Sequence, residues 1–133
     1  DGPAYLPGRS GIENLLDLAR IRRRIGMPEI RRAMERVGLD PDTRQTVRHY
    51  SLGMKQKLSL AQALMESPDV LLLDEPFNAL DEESTERVKA VLREEQARGV
   101  TILFTSHSRA DVSDLTDRVY RVADRGIHTV TGS

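Results

Sequence analysis

The sequence predicts an α/β fold in which a helical region is followed by parallel strands. Apolar residues recur at helical spacing between residues 12 and 37, whereas 70–73 and 100–104 are short continuous apolar runs typical of buried strands. A helix-like segment separates the two runs. Strands that alternate with helices pair in parallel through right-handed crossovers, so we expect the carboxyl ends of both strands at one edge of a sheet.

The N-terminal region is predicted to contain two short helices after a loop rich in glycine and proline. The first helix covers 12–25, and Gly26 and Pro28 break it. The second covers 29–37 and ends at Gly38, because glycine is favoured just after a helix C-terminus. Arginines are frequent in this region but are interleaved with glutamates, which favours a solvated surface over a nucleic-acid patch.

A longer helix is predicted from about Met54 to Met65, because Ser51 is a good N-cap. Asp81 is predicted to cap the helix between the two strands, and that helix ends near Gly99. The remaining predicted elements are a short helix over 109–115 and a hairpin of strands over 118–122 and 127–130.

Composition excludes several classes of protein. The 133 residues carry a net charge of -1 and 4% aromatic residues, so neither general attraction to nucleic acid nor base stacking is expected. The chain has no cysteine, which excludes disulfides and thiolate metal sites. No apolar run approaches the roughly 20 residues that span a bilayer. Because the sequence begins at Asp1 rather than Met, we expect either a fragment of a longer protein or a processed form.

Two carboxylates follow the first predicted strand. Asp74 and Glu75 come directly after 70–73, and Pro76 then ends the strand. An acid at the end of such a strand holds Mg²⁺ in phosphoryl-transfer sites, and a second acid beside it can deprotonate an attacking water. We expect the two side chains to point to opposite sides of the strand end and to divide these tasks. The alternative is a buried strand followed by a polar turn.

The second predicted strand also ends in polar residues, Thr105, Ser106 and His107. His107 could hydrogen-bond a transferring phosphoryl oxygen or hold the attacking water, because it lies at the same predicted sheet edge as Asp74 and Glu75. The alternative is a residue at the start of a helix that bonds to the backbone. The other two histidines, His49 and His128, lack such a context, and we interpret both as structural.

The residues before the long helix form a candidate anion site. Gly53 lets the backbone approach a phosphate, Ser51 offers a hydroxyl, and the helix N-terminus supplies N–H groups and positive potential. The alternative is a serine that only caps a helix.

Four motifs in this order resemble those of ATP-binding-cassette (ABC) ATPases. Residues 50–56 (Tyr-Ser-Leu-Gly-Met-Lys-Gln) resemble the signature motif, and 70–75 resemble the Walker B strand. Residues 78–81 (Asn-Ala-Leu-Asp) resemble the D-loop, and 105–107 resemble the loop of the switch histidine. The signature variant is similar to that of bacterial drug, bacitracin or lantibiotic-immunity exporters.

The resemblance implies a P-loop NTPase (RecA-like) core fragment with parallel strands, preceded by the ABC helical subdomain. Residues 1–67 would contain the Q-loop tail and the helical (signature) subdomain, and 68–133 the C-terminal part of the ATPase core. Leu52 and Met54 depart from the usual glycine and glutamine of the signature. No Gly-x-x-x-x-Gly-Lys-Ser/Thr phosphate loop (Walker A) occurs in the sequence. We therefore expect apolar faces of both strands to be uncovered and the chain alone to be inactive.

The resemblance also implies the site residues and their ligands, ATP and Mg²⁺. Glu75 and His107 would be catalytic, and Asp74 would bind Mg²⁺. The residues implied to contact ATP are Ser51, Gly53, Met54 and Asp81.

The implied function is that of the nucleotide-binding subunit of an ABC transporter, which couples ATP binding and hydrolysis to transport through a membrane permease. The implied partners are that permease and a second ATPase subunit in a head-to-tail dimer, with no nucleic acid. The implied location is cytoplasmic, peripheral at the inner face of the cell membrane. The alternatives are a non-transport ABC ATPase acting on DNA or ribosomes and a truncated, non-catalytic interaction module.

Overall fold

The computed structural model describes residues 5–22, 25–106, 119–123 and 126–130. The predicted order of helices and strands is confirmed, except for the predicted helix over 109–115, which lies outside the described residues. Within the described part of the chain, no helix is both long and apolar enough to cross a membrane. The elements in chain order are α1 (Gly11–Arg22), α2 (Met27–Arg36), the 3₁₀ turn Val47–His49, α3 (Leu52–Met65), β1 (Val70–Asp74), α4 (Glu82–Ala97), β2 (Thr101–Thr105), β3 (Val119–Ala123) and β4 (Gly126–Val130).

The strands pair as the sequence predicts. β1 and β2 are parallel, with Val70 opposite Thr101 and Asp74 opposite Thr105. Their carboxyl ends therefore lie side by side at one edge of the sheet, as expected of strands joined by a crossover helix. β3 and β4 pair antiparallel, which confirms the predicted hairpin.

One face of the β1–β2 sheet is uncovered. Leu71 is 2% exposed, but Val70 is 49%, Leu72 is 73% and Leu103 is 55% exposed. Side chains of a strand alternate between its two faces, so the helices cover one set and leave the other set in solvent. The prediction of an uncovered apolar face is therefore confirmed. The prediction that residues 70–73 form a strand buried on both faces is wrong for the described residues, because one face of β1 is exposed.

Within the described residues, an apolar core joins the helices to the covered face of the β1–β2 sheet. Burying each large apolar side chain contributes roughly 1.5–3 kcal/mol, so this core is the main source of stability. Its fully buried large members include Leu15 of α1, Ile30 and Met34 of α2, Leu58 of α3, and Val88 and Leu92 of α4.

The C-terminus of α2 is closed by Gly38, as predicted. Gly38 has a φ of 82°, a left-handed conformation that a residue with a Cβ adopts only with strain. Its N–H donates to the Glu35 carbonyl at 3.0 Å, and the N–H of Leu39 donates to the Met34 carbonyl at 2.9 Å. These two bonds form a Schellman motif, which satisfies carbonyls that the last helical turn leaves open.

A partly buried ion pair connects α2 to α4. Arg36 lies 2.6 Å from a carboxylate oxygen of Glu95 and 3.2 Å from one of Glu94. The side chains of Arg36 and Glu95 are only 17% and 9% exposed, so this pair is screened less than a surface pair. The apolar core and this ion pair both connect residues 1–67 with residues 68–133. The division of the chain into these two parts stays a prediction.

Gly11 at the start of α1 is in contact with Tyr50, the residue that precedes Ser51. The Gly11 N–H donates to the Tyr50 hydroxyl oxygen at 3.0 Å. Burial raises the pKa of Tyr50 above its ordinary value, and the bond from Gly11 opposes that shift. This contact connects the first helix to the beginning of α3.

Gly11→Ala is expected to lower the free energy of unfolding by about 1–3 kcal/mol through overpacking. A Cβ at Gly11 would lie 2.6 Å from the Tyr50 hydroxyl and 3.0 Å from Leu58 Cδ1, which is closer than packed atoms come. Gly8→Ala is the matched control, because its Cβ would meet Arg48 only at 3.9 Å. Urea denaturation followed by circular dichroism measures both, and equal losses would contradict the role of the Tyr50 contact.

Candidate functional site

Ser51 caps α3 and leaves its first turn open to a ligand. Its backbone is extended, and its Oγ accepts a hydrogen bond from the Met54 N–H at 3.1 Å, which confirms the predicted cap. The hydroxyl keeps its own proton as a donor. The start of a helix also has amides without intrahelical partners and carries partial positive charge. The arrangement therefore suits an anionic group.

The start of α3 and the turn before α4 line an open cleft of about 440 Å³, within the size range of small-molecule sites. The four residues predicted to contact nucleotide, Ser51, Gly53, Met54 and Asp81, all line this cleft. Lys57 adds a positive charge to it, which suits an anionic ligand. The remaining lining residues are Leu52, Ala79, Leu80 and Ser84.

The structure gives a steric reason for glycine at position 53 that the sequence did not reveal. A Cβ at this position would lie 2.9 Å from the carbonyl oxygen of Ala79. Ala79 has a φ of 65°, so the backbone of the turn is already in a left-handed conformation where it meets α3. Gly53 is therefore needed for the helix to approach this turn, independently of any phosphate.

Asp81 begins α4 as its N-cap, as predicted. Its carboxylate accepts a hydrogen bond from the Ser84 N–H at 2.7 Å. That backbone bond, then the Ser84 hydroxyl and the charge of Lys57, hold the pKa of Asp81 below its ordinary value. The cap therefore stabilises the fold fully above the ordinary aspartate pKa, and this contribution is lost as pH falls through the lowered folded-state value.

The end of β1 places Asp74 beside the end of β2. The Thr105 hydroxyl donates to Asp74 Oδ1 at 2.5 Å and accepts from the Glu75 N–H at 3.0 Å. Thr105 thus orients the carboxylate predicted to bind Mg²⁺ and fixes the backbone of the predicted catalytic base. Sequence reasoning treated Thr105 only as part of a motif, although the parallel register that places it opposite Asp74 follows from the predicted fold.

Glu75 lies just beyond β1 in a left-handed backbone conformation. Its φ is 47°, which is uncommon for a residue other than glycine and clusters at functional sites. Because β1 ends at Asp74, the direction of Glu75 follows from this turn and not from strand alternation. We expected strand alternation to point Asp74 and Glu75 to opposite sides. The structure instead directs Glu75 by a tight turn after the strand.

His107 lies outside the described residues, so its predicted approach to Asp74 stays a prediction. His49 ends the 3₁₀ turn, and its carbonyl accepts a hydrogen bond from the Gln45 side chain. Within the described ranges, no group of three or more histidine, aspartate or glutamate residues is arranged to hold a metal ion.

Comparison with known proteins identifies the class to which these features belong. The family model for ABC transporters matches residues 6–78, which include the signature-like segment, β1 and Asp74 with Glu75. The chain belongs to the ABC transporter family.

Curated relatives of the chain are ABC transporter ATP-binding proteins. An uncharacterized one from Bacillus subtilis, YybJ, is 43% identical over 112 residues, which are 84% of this chain and 51% of that protein. The bacitracin transport ATP-binding protein BcrA of Enterococcus faecalis is 35% identical over 116 residues, which are 86% of this chain and 38% of that protein. The chain thus spans about half, or less, of the length of these relatives.

The fold is that of an ATP-binding cassette. A dimeric cassette in a post-hydrolysis state, bound to ADP and Pi, superposes with a TM-score of 0.77 at 18% identity. The match covers 87% of this chain and 53% of the cassette. This confirms the predicted α/β fold as a fragment of a P-loop NTPase core with its helical subdomain.

Proposed function

We propose that this chain is part of the nucleotide-binding subunit of an ABC transporter, which couples binding and hydrolysis of Mg-ATP to transport through a membrane permease. The observation that carries the proposal is that two partial nucleotide sites, here called half-sites, are joined by the same loop. The cleft at Ser51 and the strand end at Asp74 and Glu75 share one short loop, residues 75–81. In the proposed dimer each half-site serves a different nucleotide.

The strand end serves the nucleotide bound by the same subunit. Asp74 would hold Mg²⁺, directly or through water, with its carboxylate oriented by Thr105. When bound, Mg²⁺ supplies positive charge that offsets charge developing on the phosphate oxygens. Glu75 accepts a proton from the attacking water, and His107 holds that water or a phosphoryl oxygen.

The cleft serves the nucleotide bound by a second, head-to-tail subunit. The open N–H groups of α3 and the Ser51 hydroxyl face its phosphates, Gly53 and Met54 lie beside them, and Asp81 closes the cleft from α4. The dimeric state of the structurally similar cassettes supports this arrangement. The names of the curated relatives, an ABC transporter ATP-binding protein and a bacitracin transport ATP-binding protein, support a transport role. The membrane permease as partner and the location at the inner face of the cell membrane are part of the proposal.

Mixing two inactive variants of the full-length subunit tests the shared site. Ser51→Asp keeps a good N-cap but repels phosphate, and Glu75→Gln removes the base, so each homodimer is expected to lose most ATP turnover. A mixed dimer contains one site with both defects and one intact site. Mixing should therefore restore phosphate release well above that of either variant alone.

Thermal unfolding of each variant is the control for folding. Both variants should unfold as the unsubstituted subunit does, because Asp is a good N-cap residue in place of Ser51 and Gln has the same shape as Glu75. A mixture that releases no more phosphate than its separate components would contradict head-to-tail sharing. Hydrolysis by Ser51→Asp at the unsubstituted rate would contradict the role of the cleft.

A further inference from the structure

We propose that Gln56 is a positioning residue for Glu75 and thereby connects the helix of the signature residues to the hydrolysis step. The inference rests on the proposed function, because it takes Glu75 to be the catalytic base. Gln56 does not line the cleft and is not among the predicted site residues. It lies on α3, whose N-terminus is proposed to face the partner's nucleotide.

The contact is a hydrogen bond to the backbone of Glu75. Gln56 Nε2 donates to the Glu75 carbonyl oxygen at 2.9 Å, across 19 residues of sequence. The N–H of Asn78 donates to the same oxygen at 3.1 Å. A carbonyl oxygen has two lone pairs, so these two donors use its full capacity.

The other side of Glu75 is held by β2. The Glu75 N–H donates to both the carbonyl and the hydroxyl oxygen of Thr105. A left-handed conformation at a residue with a Cβ persists only when its surroundings impose it. Gln56 from α3 and Thr105 from β2 are therefore long-range contacts that help to hold the φ of 47° at Glu75.

A second contact makes α3 and the loop after Glu75 move together. The close approach of Gly53 to the Ala79 carbonyl seats the first turn of α3 on that loop. Gln56 holds the other end of the same loop at Glu75. A displacement of α3, when its N-terminus binds or releases a phosphate, is thus passed to the backbone that directs Glu75. One chain would in this way connect its partner's nucleotide to its own.

Gln56→Met in the full-length subunit removes the donor at nearly constant volume. We expect kcat for ATP hydrolysis to fall about tenfold with little change in KM, because a base displaced by a fraction of an ångström loses reaction geometry. Gln62→Met is the matched control. Gln62 is on the same helix, is half-buried like Gln56, and accepts a hydrogen bond from the Tyr5 hydroxyl instead of donating to the turn at Glu75. Its kcat should stay unchanged.

Amide hydrogen exchange of the nucleotide-free subunit provides a readout that does not depend on activity. Gln56→Met should speed exchange at Glu75 and Asn78, whose N–H groups belong to the turn that Gln56 holds. Gln62→Met should leave exchange at both amides as in the unsubstituted protein. Unchanged protection in Gln56→Met would overturn the inference.

Two further variants separate this inference from the proposed function. If Gln56 acts through Glu75, Gln56→Met should slow a Glu75→Gln subunit no further, because the base it positions is already absent. Gln56→Lys retains an N–H donor and should turn over faster than Gln56→Met, whereas equal rates would overturn the role of the donor. Full hydrolysis by Glu75→Gln alone would instead overturn the proposed base, whatever Gln56 does.

Discussion

Replacing Glu75 by glutamine in the full-length subunit is expected to slow ATP hydrolysis by about 10²–10⁴-fold while nucleotide binding persists. The amide can still hydrogen-bond a water molecule but cannot take its proton. Asp74 and the phosphate contacts are unchanged, so ATP and Mg²⁺ should remain bound. The loss should therefore appear in kcat and not in the dissociation constant.

Phosphate release and equilibrium binding of a fluorescent ATP analogue measure the two quantities separately. Glu83→Gln is the matched control, because Glu83 is an exposed acid in the first turn of α4 and touches neither half-site. It should hydrolyse ATP at the unsubstituted rate. A Glu75→Gln subunit that hydrolyses ATP normally would contradict the assignment of the base.

The 133-residue chain by itself is expected to bind Mg-ATP no more tightly than millimolar. Millimolar affinity already requires about 4 kcal/mol, whereas one helix N-terminus contributes on the order of 1 kcal/mol to anion binding. The sequence has no phosphate-binding glycine loop with its lysine. Asp74 and Ser51 belong to opposite nucleotides in the proposed dimer, so they cannot hold the same ATP in one copy.

Isothermal titration of the purified chain with Mg-ATP tests this expectation. The full-length subunit, titrated under the same conditions, is the control for nucleotide quality and buffer. Micromolar binding by the chain would contradict the expectation and would mean that the described cleft or strand end holds triphosphate without the glycine loop.

Local chemistry explains why much of the fold could be predicted. Ser51 and Asp81 cap helices, and Gly38 ends one, through bonds to residues within a few positions. The existence of the two strands follows from continuous apolar runs, and their parallel pairing from the helix between them. These predictions depend on short stretches of sequence, and the structure confirms them.

The geometry at Glu75 could not be predicted in the same way. Its left-handed turn depends on Gln56 and Thr105, which lie 19 and 30 residues away in sequence. No sequence pattern indicates the contact of Gln56 with Glu75, and the predicted parallel pairing brings Thr105 to the end of β1 without indicating the turn at Glu75. The sequence could indicate which residues line the cleft but not its shape, because that shape depends on the approach of Gly53 to Ala79. Long-range packing decides these features.

The approach of α3 to the Ala79 carbonyl also affects how substitutions in relatives should be interpreted. A relative that had lost hydrolysis would still need glycine at position 53, since any Cβ there would collide with the backbone of the loop. Retention of this glycine is therefore a marker of architecture and not of activity. Glu75 is a better diagnostic position, because its carboxylate is not needed for the backbone bonds around it, whereas Ser51 also serves the fold as the cap of α3.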